Sequence, residues 1–253
     1  MFDDTLRRYG LDRCSQAGEA LIIGVGPEEP LGDPVEKLPS AVSSILFLDA
    51  AQQVEMIAQF MSSPHAAVVQ SLALGSSHKV AEQGGSLDFR DAVAIFRGQE
   101  LPALTRLSLG DMERLFNGHC YYGKLGDVAP VLAAAPRLTE LDLYGHFELR
   151  APVHHPSLQA LTVIVDEIGV TGGPPSQSTL KNLLCSQLPT LQRLELWLDD
   201  GDPELRYELP EEFLQASGMP ALKTLGVDRM TADAVVALRL WAEQRQVKLH
   251  LEE

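Results

Sequence analysis

Five copies of one pattern of hydrophobic positions, Pro-x-Leu-x-x-Leu-x-(Leu/Val), organise the chain. They begin at Pro102, Pro136, Pro156, Pro189 and Pro220. The last apolar residues of each copy alternate with polar or small ones, and a period of two places them on one face of a β-strand. Weaker versions lie at residues 44–48, 69–74 and 247–251. We therefore predict a strand at each of these places.

Helical spacing precedes most of these strands. Apolar residues recur there three and four positions apart, which is the spacing of one stripe on an amphipathic helix. The residues with this spacing are Val54, Ile57, Ala58 and Met61; Phe89, Val93 and Phe96; Val128, Val131, Leu132 and Ala135; Leu180, Leu183, Leu184 and Leu188; and Val235, Leu238 and Ala242. In most units a proline then ends the helix and biases its predecessor toward extended geometry.

The spacing of the prolines indicates a repeated structural unit. Successive prolines are 34, 20, 33 and 31 residues apart, and a period of this size is typical of supersecondary units stacked side by side. Neighbouring strands are then expected to pair in parallel, with the leucines and the helix stripes in one core. The step from Pro136 to Pro156 is too short for a full helix, so we expect that unit to be truncated.

The L-x-x-L-x-L cores at residues 104–109, 138–143 and 191–196 resemble leucine-rich repeats. Long units with helices are most similar to the ribonuclease-inhibitor-like kind. The stretches LTRLSLGDM, GDVAPVLAAAPRLTELDLYG and LPTLQRLELWLDD also resemble an uncharacterised bacterial leucine-rich-repeat family. The resemblance covers about residues 65–251.

This resemblance implies an α/β fold, a leucine-rich-repeat solenoid (horseshoe) with a parallel sheet on the concave face and helices on the convex face. We assign residues 41–253 to the leucine-rich-repeat domain and residues 1–40 to an N-terminal cap and loop. One departure concerns the Asn or Cys that the family pattern places after each core. Those positions hold Ser77, Met112, His146, Asp166, Asp199 and Met230, so no ladder of buried Asn amides is expected.

The resemblance also implies protein binding on the concave strand face. Side chains between and beyond the inward leucines point out from the sheet. The partner-binding residues predicted in this way are Arg106, Glu140, Asp142, Tyr144, Ile164, Arg193, Glu195, Trp197 and Asp228. Tyr144, Ile164 and Trp197 occupy equivalent positions in successive units, and adjacent strands lie ~4.8 Å apart, so we expect these three side chains to form a row. Trp and Tyr beside Arg are typical of interface hot spots.

Charge narrows the class of partner. The chain has 253 residues, with 35 acidic and 20 basic side chains and a formal net charge of −15. This balance argues against nucleic acid and against an anionic membrane surface, because both attract clustered Lys and Arg. It favours a basic protein; the alternative is that the chain is acidic as many cytosolic proteins are, since net charge says little about a specific site. The first residues, MFDDTLRRY, lack the apolar region of a signal peptide, and Cys14, Cys120 and Cys185 are far apart, which indicates a reduced, cytoplasmic location.

Linear motifs for catalysis or cofactors are weak. The acidic run at residues 199–204 does not match a calcium loop, and His119-Cys120 and His154-His155 lack zinc-ligand spacing. Gly24 and Gly26 follow an apolar stretch, but the third glycine of a dinucleotide motif is absent and Pro27 opposes the required helix. We therefore predict neither a cofactor nor a metal, and no enzymatic activity.

Two hypotheses of function remain. The first is a non-catalytic protein–protein interaction scaffold, either an inhibitor or immunity protein of a basic enzyme or an interaction module of a bacterial pathway. The second is a metal-dependent or small-ligand-binding activity at the strand-end loops, around His146, Asp166 and Asp199. The first predicts that partner binding depends on Trp197 and Tyr144.

Overall fold

The computed structural model describes residues 16–17, 20–23, 44–47, 50–75, 88–110, 123–165, 175–198, 202, 204–215 and 218–252. The strands are β1 Gln16–Ala17, β2 Ala20–Ile23, β3 Ser44–Phe47, β4 Ser71–Gly75, β5 Arg106–Leu109, β6 Gly123–Asp127, β7 Glu140–Glu148, β8 Ala160–Ile164, β9 Arg193–Trp197, β10 Thr224–Val227 and β11 Lys248–Leu251. The helices are α1 Ala50–Met61, α2 Pro64–Val68, α3 Arg90–Ala94, α4 Ala129–Ala134, α5 Gln177–Leu184, α6 Glu211–Gln215 and α7 Ala232–Arg245.

The fold is mixed α/β around one open, largely parallel sheet. The strand order is β1-β2-β3-β4-β5-β7-β8-β9-β10-β11, and β6 pairs with β7 off this path. Every described pairing is parallel except that of β1 with β2. All eight predicted strands are confirmed, and they are neighbours in the order in which they follow in the sequence. Part of the predicted cap, at β1 and β2, also lies in this sheet, whereas residues 24–39 lie outside the described residues.

The alternating leucines align across the sheet and form its core. Leu107 pairs with Leu141, Leu141 with Leu161, and the same register continues through β9 and β10. The buried strand residues on this side are Leu107, Leu109, Leu141, Leu143, Leu161, Val163, Leu194, Leu196, Leu225 and Val227. Because a slip of one residue would turn every one of these side chains to the other face, the hydrophobic pattern itself fixes the register.

One hydrogen-bonding scheme recurs where each strand begins. The Gln70 carbonyl accepts two bonds from the next unit, from the N–H groups of Thr105 (2.8 Å) and Arg106 (3.0 Å). The same double acceptance is repeated by the carbonyls of Thr105, Thr139, Gln159 and Gln192. These bonds satisfy backbone groups at the same place in five successive units. The sequence repeat is therefore also a structural repeat.

Each Pro-x-Leu segment forms a turn ahead of its strand. The N–H of Leu104 donates to the carbonyl of Leu101 at 3.1 Å, across Pro102, whose fixed φ suits the second position of such a turn. The same bond joins Leu138 to Ala135, Leu191 to Leu188 and Leu222 to Met219. The Pro156 copy differs, because the Leu158 N–H donates to the His155 Nδ1 at 3.1 Å.

The short unit between Pro136 and Pro156 is truncated as predicted, since β7 is followed by β8 without a helix in the described residues 149–159. Beyond the residues that pair with β8, the end of β7 pairs with β6, beginning at Gly145 and Gly123. Gly145 has φ +120, and a Cβ there would lie 2.1 Å from the Gly123 carbonyl oxygen. Glycine is thus required for this approach of the two backbones.

Helices cover the leucine side of the sheet. The predicted stripes on α3, α4 and α5 are buried as expected. The prediction of the buried stripe on α1 is wrong in part. Val54 is exposed, whereas Phe60 is buried beside Ile57 and Met61. Packing against α2 and the sheet, rather than spacing alone, selects the buried side of that helix. Of the helices described, none is both long and apolar enough to cross a membrane.

Candidate functional site

The predicted outward residues lie in register on the sheet face opposite the core, which we call the outer face. Two rows cross β5, β7, β8, β9 and β10, and a third crosses β7, β8 and β9. The first row holds Arg106, Glu140, Ala160, Arg193 and Thr224; the second holds Ser108, Asp142, Thr162, Glu195 and Gly226; the third holds Tyr144, Ile164 and Trp197. Sequence alternation alone placed these residues correctly in their rows.

Ion pairs join several charges of the outer face. Arg106 Nη2 lies 3.2 Å from Glu140 Oε1 on the adjacent strand, and both side chains are exposed. Arg193 Nη1 lies 3.8 Å from Glu195 Oε1, two residues along the same strand. Exposed pairs of this kind contribute ~0–1 kcal/mol to stability. They leave the outer face with alternating charges rather than one acidic patch.

The third row brings Ile164 and Trp197 together as predicted. Tyr144 pairs with Ile164, and Ile164 pairs with Trp197 in adjacent strands. The Trp197 ring leans toward β10, where a Cβ on Gly226 would lie 3.0 Å from its Cζ2 atom and 3.2 Å from its Cη2 atom. Because Gly226 has no side chain, the indole of Trp197 can lie close to the backbone there. Both Ile164 and Trp197 stay partly exposed.

The prediction of an exposed Tyr144 is wrong, because its side chain is only 7% exposed. The sequence suggested that the strand ends near Tyr144. In the structure, β7 runs on through Gly145 to Glu148 and pairs there with β6. A Cβ on Gly110 would lie 2.0 Å from the Tyr144 carbonyl oxygen, so the backbones are also close on the β5 side. Tyr144 therefore lies between two pairings rather than at a free strand end.

The prediction of an exposed Asp228 is also wrong. Asp228 is 7% exposed, and its Oδ1 atom accepts a hydrogen bond from the Leu198 N–H at 2.6 Å. Its own N–H donates to the Leu196 carbonyl. The carboxylate therefore extends the β9–β10 ladder by one bond, and bonds from backbone N–H groups to a charged acceptor are strong. This role is structural.

Two residues of β11 extend the first and second rows of the outer face, and the sequence prediction missed both of them. Lys248 pairs with Thr224 and His250 pairs with Gly226, and both side chains are exposed. The sequence did carry a signal for them, since residues 247–251 showed the alternation of a weak repeat. Applying the same alternation there would have added both residues to the outer face.

His155 is a core residue and His154 is exposed beside it. His155 Nε2 lies 3.0 Å from the Ala135 carbonyl oxygen, so this nitrogen carries the proton, and Nδ1 accepts from the Leu158 N–H. Burial lowers the pKa of His155. Both ring nitrogens have protein partners, so the ring does not offer a free ligand to a metal.

The ligand hypothesis concerns the strand-end loops, which the structure describes only in part. Among the residues that the structure describes, no group of three His, Cys, Asp or Glu side chains has the arrangement of a metal site. Asp166, Asp199, His119, Cys120 and most of the acidic run at 199–204 lie outside the described residues. Burial raises the pKa of the Cys185 thiol, which opposes activation of this cysteine as a nucleophile.

The outer face therefore offers one partly exposed apolar pair, Ile164 and Trp197, together with charged side chains on β5, β7, β9 and β11. No protein-family model, curated protein or solved structure shows significant similarity to the chain.

Proposed function

We propose that the chain is a leucine-rich-repeat solenoid of the ribonuclease-inhibitor-like kind and a non-catalytic scaffold that binds a partner protein on the outer face. The repeated Pro-x-Leu turn, the doubly accepting carbonyl and the aligned leucines support the repeat assignment. In such an architecture the sheet lines the concave side and the helices lie on the convex side. Concave surfaces of this kind are extended binding surfaces.

The observation that carries the proposal is the set of outward side chains on the adjacent strands β7, β8 and β9. Ile164 and Trp197 form an apolar centre, and Asp142 and Glu195 lie beside them in the next row. An anchor of this kind, surrounded by polar groups, is the usual composition of an interface hot spot. The proposed contact residues are Arg106, Glu140, Asp142, Ile164, Arg193, Glu195 and Trp197.

The chemistry of the proposed partner follows from charge. The net charge of −15 favours a basic protein, and its long-range field accelerates encounter with such a partner at low salt. Binding that covers the active site of a basic enzyme would make the chain an inhibitor or immunity protein. The alternating charges of the outer face would then select which basic protein fits.

Pull-down from the native cell tests the proposal. Immobilised wild-type protein and a Trp197→Ala variant are exposed to the same lysate and washed first at low and then at high salt. We expect the wild type to retain a basic protein that salt releases, and Trp197→Ala to weaken that binding by at least ~2 kcal/mol, as at a hot spot.

Val68→Ala provides the matched control, because Val68 is an exposed apolar residue on α2, away from the outer face. This variant should bind as the wild type does. Equal binding by Trp197→Ala and the wild type, with both proteins folded, would refute the choice of face. Capture of an acidic partner would refute the charge argument.

A further inference from the structure

Among the described strands, β11 is the last in the sheet order, and its edge carries a second surface next to the outer face. Among the described strands, β11 pairs only with β10. The backbone bonds of β11 show which of its groups face outward. The N–H of Lys248 donates to the Lys223 carbonyl at 2.8 Å, and that of Glu252 donates to the Val227 carbonyl at 3.3 Å. Because strand backbone groups alternate in direction, the N–H and C=O groups of Leu249 and Leu251 point away from the sheet.

The sequence of this edge is complementary to itself. Residues 248–252 read Lys-Leu-His-Leu-Glu. If two copies pair antiparallel about His250, Lys248 of each lies opposite Glu252 of the other, and Leu249 lies opposite Leu251. The outward N–H and C=O groups of the two leucines then face each other as hydrogen-bonded pairs. Lys248 and Glu252 form a non-hydrogen-bonded pair, in which side chains come closest.

Helix α7 lies beside the same edge and carries two exposed apolar residues on the side opposite its buried residues. Val236 is 59% exposed and Leu240 is 57% exposed. With Arg239 and Glu243 they follow the i, i+3, i+4, i+7 spacing of one helix stripe. A groove between α7 and β11 is lined by Arg239, Ala242, Glu243, Val247, Leu249 and Leu251. Exposed apolar residues that border an open sheet edge indicate an unfilled interface.

We propose that the occupant of this edge is a second copy of the chain, which joins the two sheets through antiparallel β11 strands about a two-fold axis. Such an axis lies normal to the sheet, so both α7 helices lie on the same face of the joined sheet, side by side and antiparallel. Arg239 and Glu243, which line the groove beside β11, then face the other copy, and each Arg239 approaches the Glu243 of that copy. A surface whose charges complement those of its own copy is what a two-fold contact requires.

A charge swap tests this pairing. The mass of the intact chain in solution is measured by sedimentation over the micromolar range for the wild type, Lys248→Glu, Glu252→Lys and the double variant that carries both changes. We expect a dimer for the wild type. Each single variant places like charges opposite each other twice and should weaken the dimer about tenfold. The double variant restores opposite charges in both pairs and should recover the wild-type affinity.

Lys223→Glu is the matched control, since Lys223 is exposed and precedes β10 rather than β11. This reversal should leave the dimer unchanged. Glu243→Lys should weaken the dimer without unfolding the protein, because the side chain is exposed and lines the groove. Hydrogen exchange should show protection of the Leu249 and Leu251 amides that rises with protein concentration.

Three outcomes would overturn the proposal. A monomer at every concentration would show that the edge does not pair with itself and would leave it for a different chain or segment. A dimer that is insensitive to Lys248→Glu would place the contact elsewhere. Failure of the double variant to recover affinity would exclude the proposed register.

Discussion

His155 occupies a position that is apolar in the other Pro-x-Leu copies. The residues before the five prolines are Leu101, Ala135, His155, Leu188 and Met219, and all are buried. In the other copies a backbone carbonyl accepts the N–H of the following leucine, but here the His155 Nδ1 atom does so. Its Nε2 atom bonds to Ala135, which holds the same position in the preceding copy. One imidazole thus joins two units where the truncated repeat has no helix.

This arrangement predicts a dependence of stability on pH. Burial is the main cause that lowers the pKa of His155, although the bond to the Ala135 carbonyl acts in the opposite direction. The unfolded chain therefore takes up a proton before the folded chain does. Stability is full above pH ~6.5, falls as the pH decreases below the unfolded value, and levels off below the lowered pKa of the folded state. The loss is about 1.4 kcal/mol for each unit by which the pKa is lowered.

Urea unfolding at a series of pH values measures this effect. His155→Gln does not titrate and should remove much of the decline in the free energy of unfolding below pH ~6.5. His154→Gln is the control, because His154 is adjacent but exposed, and it should keep most of the decline. Equal pH profiles for the wild type and His155→Gln would show that other groups cause any acid sensitivity.

At the scale of elements, the link between β6 and β7 depends on one glycine. Gly145→Ala would place a Cβ against the backbone of Gly123, at a φ that only glycine adopts readily. We expect a loss of at least ~2 kcal/mol in the free energy of unfolding, because the backbone contact and the dihedral angle are both violated.

A Gly98→Ala variant separates the effect of the dihedral angle from the effect of the backbone contact. Gly98 also has a positive φ, but a Cβ there would meet nothing within 4 Å. This variant should therefore lose only ~1 kcal/mol, the cost of the dihedral angle alone. Chemical denaturation of both variants measures the difference. Equal losses would mean that the contact with Gly123 contributes nothing.

Elements whose identity depends on local periodicity could be predicted from the sequence. The apolar residues from Leu107 to Val227 alternate with other residues within short strands. This alternation was enough to predict both the strands and their parallel register. The truncated unit followed from the distance between Pro136 and Pro156. The same alternation put Ile164 beside Trp197.

Burial that depends on neighbouring chain segments could not be predicted in this way. Tyr144 is buried where β7 runs on into a pairing with β6, a strand that has no leucine pattern of its own. Asp228 is buried because its carboxylate completes a ladder with Leu198. The core role of His155 becomes evident only when the five copies are compared position by position.

For the molecule as a whole, net charge and local charge differ. The chain carries −15 overall, but Arg106 and Arg193 of the outer face lie beside Glu140 and Glu195. The excess of negative charge therefore resides mainly outside the proposed contact surface. Charge that is distant from a contact influences the rate of encounter, whereas groups in the contact influence the rate of dissociation.

Two variants separate these effects in the proposed complex with a basic partner. Glu204→Lys changes the net charge by two at an exposed residue that does not belong to the outer face, so it should slow association and leave dissociation nearly unchanged. Trp197→Ala removes the apolar centre and should accelerate dissociation, by roughly 30-fold for a hot spot of ~2 kcal/mol, with little effect on association. Surface plasmon resonance at two salt concentrations measures both rates. If Glu204→Lys mainly changed dissociation, residue 204 would belong to the contact, and the partner would reach beyond the sheet to the loops at the strand ends.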